Sequence, residues 1–214
     1  MNKMNLFASS TDFKAAFQLA SNEVFTDRRL PSYIFRNNRV HAFIDSDSIY
    51  NVSFFKGLIK FLETISDEAL FLQLLPDPEK YFFANFGQYP AFKISKDSDP
   101  NDCIDLLERD PGSSPADAIA YNSEIVLFIS KKQEWCIYVD RSLELSVTSF
   151  INVESESLFF KCIPVLSKFD FFYVKELLEP VFCNAPDGVE RVHSLIREFT
   201  QNYERFPSNG ENPN

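Results

Sequence analysis

Residues Ser123 to Phe150, SEIVLFISKKQEWCIYVDRSLELSVTSF, restrict the fold more than any other stretch of the chain. An apolar run from Ile125 to Ile129 stops at the charged loop Lys131-Lys132-Gln133-Glu134. A second run, Trp135 to Val139, stops at Asp140-Arg141-Ser142. In the third segment Leu143, Leu145 and Val147 alternate with Glu144, Ser146 and Thr148. Short apolar runs joined by tight polar turns are the signature of an antiparallel meander, buried in two strands and half-solvated in the third. The expected fold is therefore α+β. It has a central mixed, mostly antiparallel sheet, a β-meander at 124–150, and four or five flanking helices.

The rest of the chain supplies those helices and further strands. Ser10-Thr11-Asp12 offers caps for a first helix, with Phe13, Ala16, Phe17 and Ala20 on one face. Arg39 to Ile44 reads as a strand. Val52, Phe55, Leu58, Ile59 and Leu62 then form the apolar stripe of a core-facing helix. Ala69 to Leu75 reads as a strand again. This strand–helix–strand order is either a right-handed crossover or two strands that are not neighbours. Tyr81 to Phe86, Ala91 to Ser95 and Leu158 to Val165 read as additional strands. A short helix is expected at Asn101–Arg109, and two closing helices at Phe169–Phe182, interrupted late by Pro180, and at Pro186–Phe206.

A chain of 214 residues suits one large domain or two small ones. The polar excursion Lys96–Asp117 is the one candidate boundary, and the sequence before it holds too few strands to close a sheet. One domain over 1–206 is expected, with a disordered tail at 207–214 (PSNGENPN) that has nothing to bury. The 24 Phe give ample core material, each worth roughly 1.5–3 kcal/mol when buried. Only 5 Gly occur, against glycine-rich phosphate loops.

Thirty-one acidic and 21 basic residues leave a net charge of -10. Such a chain repels phosphate backbones and anionic membrane surfaces, so neither nucleic acid nor membrane is an expected partner. The charge favours a basic protein partner, or serves solubility alone. Cys103, Cys136 and Cys162 and Cys183 form no C-x-x-C pair, and most lie in apolar stretches. That pattern fits reduced thiols and a cytoplasmic location. The N-terminus lacks a signal-peptide core, and no run approaches the ~20 apolar residues of a membrane helix.

Asp97, Asp99, Asn101, Ile104, Asp105 and Glu108 match ligand and apolar positions of a calcium loop. Asp102 stands where that loop needs Gly, and the flanking helices are missing. The competing reading is an Asp-rich turn that caps a short acidic helix. Asp45-Ser46-Asp47 follows a strand, and two hard carboxylates there can hold a divalent metal. The alternative is a helix cap at Asp47 or Ser48. His41 and His193 lie in different elements, and no catalytic or phosphate-binding motif occurs. Cys183 can meet His193, although its apolar run PVFC points to a buried thiol. Trp135, Tyr138 and Arg141 are residue types that dominate binding hot spots. They serve equally as core aromatics and a turn residue. No cofactor is expected.

The stretch from Leu127 through Trp135-Cys-Ile137-Tyr138-Val-Asp140-Arg141 to Leu143-Glu144-Leu145 resembles bacterial toxin-immunity proteins, including those of contact-dependent growth inhibition. The shared pattern is an apolar strand, a polar loop, a W-x-I-Y-like strand, an acidic–Arg turn and an L-E-L-like strand. The resemblance covers about a tenth of the chain. It implies a small, acidic, non-catalytic antidote that binds a toxin domain, commonly a basic nuclease. The expected partner face is the acidic excursion, Asp97, Asp99, Asp102, Asp105 and Glu108, with Trp135, Tyr138 and Arg141 second. A metal-dependent enzyme using Asp45 and Asp47, or an adaptor domain without a toxin partner, are the other readings.

Overall fold

The computed structural model describes residues 4–37, 39–112, 114–169 and 171–203. The tail expected to be disordered, 207–214, lies outside the described residues. Helix α1 (Ser10–Glu23) starts at Ser9, whose hydroxyl accepts from the Asp12 amide at 3.3 Å. Strand β1 (Val40–Asp45) leads through a 3-10 turn (Asp47–Ile49) into helix α2 (Val52–Ile65). Asn51 caps α2 by accepting from the Phe54 amide at 2.9 Å, and satisfies a donor the helix start leaves open. Strand β2 (Ala69–Leu75) follows, then a π-helical turn (Pro78–Phe83), the short helix α3 (Ala84–Phe86) and strand β3 (Ala91–Ile94).

The excursion folds as helix α4 (Pro100–Glu108), a 3-10 turn (Pro115–Asp117) and helix α5 (Ile119–Asn122). The meander is β4 (Ile125–Ser130), β5 (Trp135–Asp140) and β6 (Leu145–Phe150). Helices α6 (Val153–Cys162), α7 (Phe171–Phe182) and α8 (Gly188–Tyr203) complete the described chain. The six strands form one sheet in the order β1-β6-β5-β4-β2-β3. Every pairing is antiparallel, so the expected mixed character is absent among the described residues. β1 and β2 are not neighbours, because the whole meander sits between them.

The sheet is the middle of three layers. Ile125, Leu127 and Ile129 of β4, with Cys136 and Tyr138 of β5, face a core closed by α1, α7, α8 and the Val24–Phe35 segment. Val126, Phe128, Trp135, Ile137 and Val139 face a second core closed by α2, α4 and α6. Successive side chains of a strand point to opposite faces. Covering both faces therefore explains why β4 and β5 read as continuous apolar runs.

Three expectations are corrected. The third meander strand is not half-solvated: Ser146, Thr148 and Ser149 are fully buried. β1 pairs along its outer side, helices cover both faces, and the Thr148 hydroxyl donates to the Ala42 carbonyl at 3.0 Å. Tyr81–Phe86 is helical. Asp77 accepts from the Glu79 and Lys80 amides, both at 2.9 Å, and Pro78 sits at the first position. These start signals override the β propensity of Tyr-Phe-Phe. Leu158–Val165 is not a strand either; most of it belongs to α6, which Asn152 caps through the Ser155 amide at 2.8 Å. A short apolar run has the same local appearance in a strand and in a buried helix.

Candidate partner-binding face

The acidic excursion leaves β3 through a turn in which the Ser95 amide donates to the Ser98 hydroxyl at 2.9 Å. Asp99 then caps α4, accepting from the Asn101 amide at 2.8 Å, and Pro100 takes the first position. Cys103, Leu106 and Leu107 turn inward onto the second core. That choice places Asn101, Asp105 and Glu108 on the outer face, at the i, i+4, i+7 spacing of one helical stripe. Asp97 and Asp105 and Glu108 are exposed, and Asp99 and Asp102 are half-buried. Among the described residues none of the five is in an ion pair; the basic partners go elsewhere, such as Lys93 and Lys131 to Glu68.

A calcium loop does not form from these residues. Its later ligand positions, Asn101, Asp105 and Glu108, lie along a helix and cannot wrap one ion, and the Asp99 carboxylate serves as the cap. Among the described residues no three His, Cys, Asp or Glu side chains gather as a metal site.

Trp135 and Tyr138 do not face a partner. Trp135 is fully buried, edge-on to Phe61 at 5.7 Å. Tyr138 is buried on the opposite face, and its hydroxyl donates to the Arg28 carbonyl at 3.3 Å. Burial pushes its phenol above the usual range. Both are core residues because β5 is a central strand covered on each side. Arg141 is half-buried: its guanidinium donates to the Ala120 and Ser123 carbonyls and lies 5.2 Å over the Tyr50 ring. It ties the β5–β6 turn to the chain entering β4.

Asp45 and Asp47 sit at the end of β1. Asp45 accepts from the Asp47 amide at 2.9 Å and from the Ser48 hydroxyl at 3.3 Å, which makes it the organiser of the turn. Neither Asp47 nor Ser48 makes the expected helix cap, since the helix that follows, α2, is capped by Asn51. Cys103, Cys136 and Cys162 are free and buried. Burial pushes the Cys103 thiol up to about 12, where it is inert at neutral pH. Cys183 is exposed, against the expected buried thiol: it lies just past the end of α7, in the turn that leads into α8. It lines a shallow recess together with His193.

The structure also forms a recess that sequence reasoning did not foresee, between α1 and the corner Leu74–Glu79. The one local signal was Asp77-Pro78, a helix start; the closing wall, Phe13 and Phe17, comes from an element some sixty residues away. Compared with protein-family models, with curated proteins and with solved structures, the chain matches none.

Proposed function

We propose that this protein is a non-catalytic binding module that neutralises a toxin domain, with a basic nuclease domain as the partner class. The observation that supports this reading is the outer face of α4. Asp105 and Glu108 project from a helix anchored by three core residues, with Asp102 beside them and no basic side chain paired to them among the described residues. A rigid, uncompensated acidic stripe on a chain of net charge -10 attracts a basic surface and orients its approach. The toxin-immunity resemblance of the meander points the same way, although its aromatic residues serve the core.

Co-purification of the tagged chain from its native host, followed by identification of bound proteins, tests the reading. A basic toxin domain is the expected partner, and recovery of none overturns it. The triple variant Asp102→Asn, Asp105→Asn, Glu108→Gln keeps the Asp99 cap intact. It is expected to weaken partner binding about tenfold at low salt and to flatten its salt dependence. Unchanged affinity and salt dependence put the interface elsewhere.

A further inference from the structure

The recess between α1 and the corner after β2 has a volume of about 600 Å³, in the range of sites that enclose a small molecule or one large side chain. Phe13, Phe17, Leu74 and Leu75 make an apolar floor. Phe13 is backed by a three-ring stack: its ring lies 4.3 Å from Tyr89, which lies 4.4 Å from Phe83, with interplanar angles of 11° and 16°. The floor is therefore held rigid from behind.

The rim carries charge of mixed sign. Asp77 and Glu79 stand on one lip, with the exposed Lys80 ammonium 3.6 Å from the Asp77 carboxylate, and Lys14 stands on the other. Asp77 stays ionised, because the Lys80 and Glu79 amides hold its carboxyl below the usual range. Glu79 is exposed and in no ion pair among the described residues. Two backbone irregularities converge on this lip. The β2 register shifts between Gln73 and Leu75, and the chain then enters the π-helical turn. Bulges and π-turns commonly re-aim side chains beside functional sites.

We propose that this recess takes the side chain of an arginine or lysine from the protein partner. The alkyl stem lies on the Phe13–Leu75 floor, and the cation reaches Glu79, the rim carboxylate in no ion pair among the described residues. This deepens the reading above and rests on it. Long basic side chains bury their stems on apolar surface while the head stays polar. An aromatic floor adds cation–π attraction, greatest for a guanidinium. The chain uses the same pairing internally: Arg28 and Arg36 lie 3.7 Å and 4.3 Å over the Phe25 ring. Arginine is among the residues that dominate interface energetics when seated in a pocket.

The test uses the full-length ¹⁵N-labelled protein titrated with n-butylguanidinium and with the uncharged isostere n-butylurea. Chemical-shift changes are expected in residues 13–18 and 74–80 with the cation, and weaker binding with the urea. Glu79→Gln is expected to weaken the cation about threefold, and Lys14→Met to strengthen it by a similar factor, as befits exposed charges. Equal binding of the urea, or shifts elsewhere, overturns the proposal. With the partner in hand, Glu79→Gln is expected to weaken the complex about threefold. Unchanged partner affinity also overturns the proposal, while leaving the functional reading standing. Failure of that reading shows instead as an absent partner in the co-purification.

Discussion

His41 lies in β1 among aromatic rings. It stacks on Phe35 at 4.8 Å and meets Tyr33 and Tyr203 edge-on at 5.7 Å. The Tyr33 hydroxyl is 3.2 Å from Nε2, and Arg39 is the charged group that faces it. Burial lowers the imidazole pKa from 6.5 to about 4, and Arg39 adds to the depression. The neutral ring is thus the folded form. Its contribution to stability is complete above pH 6.5 and is lost as pH falls towards 4, since the unfolded chain binds the proton more tightly. Urea unfolding is expected to show about 2 kcal/mol lost between pH 7 and 5 through this group. His41→Gln is expected to remove that share of the slope; an unchanged slope in the variant refutes it. Glu23 and Asp140 titrate in the opposite sense, raised by burial, so the difference between variant and parent is the quantity to read. In the sequence His41 showed only as an isolated histidine. Its environment comes from Tyr33 and Tyr203, which no local pattern links to it.

Helices α2 and α6 meet at Gly57. A Cβ there would lie 2.8 Å from the Cys162 carbonyl oxygen and 2.9 Å from the Ile163 Cα. Both obstacles are backbone, so they yield poorly. Ala is the better helix former by about 1 kcal/mol. The clash is expected to outweigh that gain, leaving Gly57→Ala destabilised by about 1–2 kcal/mol and lowering its Tm. A raised Tm would show that the two helices can part without cost. The stripe of α2 was readable from its spacing, because amphipathic periodicity and the Asn51 cap act within a few residues. The helical nature of α6 was not. Leu158-Phe-Phe-Lys-Cys-Ile suits a buried strand equally well, and the choice depends on Phe159 packing against Phe61 and Trp135.

The sheet carries both cores at once, so neither layer of helices keeps its buried face if the strands separate. Unfolding is expected to be a single transition, with Trp135 fluorescence and far-UV circular dichroism coincident in urea. Trp135 is the sole tryptophan and fully buried between β5 and the α2–α6 layer, which makes it a clean reporter. Separate midpoints would mean that one layer detaches first. The acidic charge belongs to this level too. It was legible as composition, but its arrangement on one face of α4 follows from which side of that helix the core claims.

The linear order of residues was enough to specify the meander, most of the strands and helices, and a short acidic helix in the excursion. Those features rest on periodicity, turn residues and caps, all of which act over short distances. Folding in three dimensions settled the strand order, the burial of β6, the withdrawal of Trp135 and Tyr138 from the surface, and the recess beneath α1. Each of these depends on contacts between distant segments, such as Thr148 with Ala42, and burial is a property of what covers a residue rather than of the residue itself.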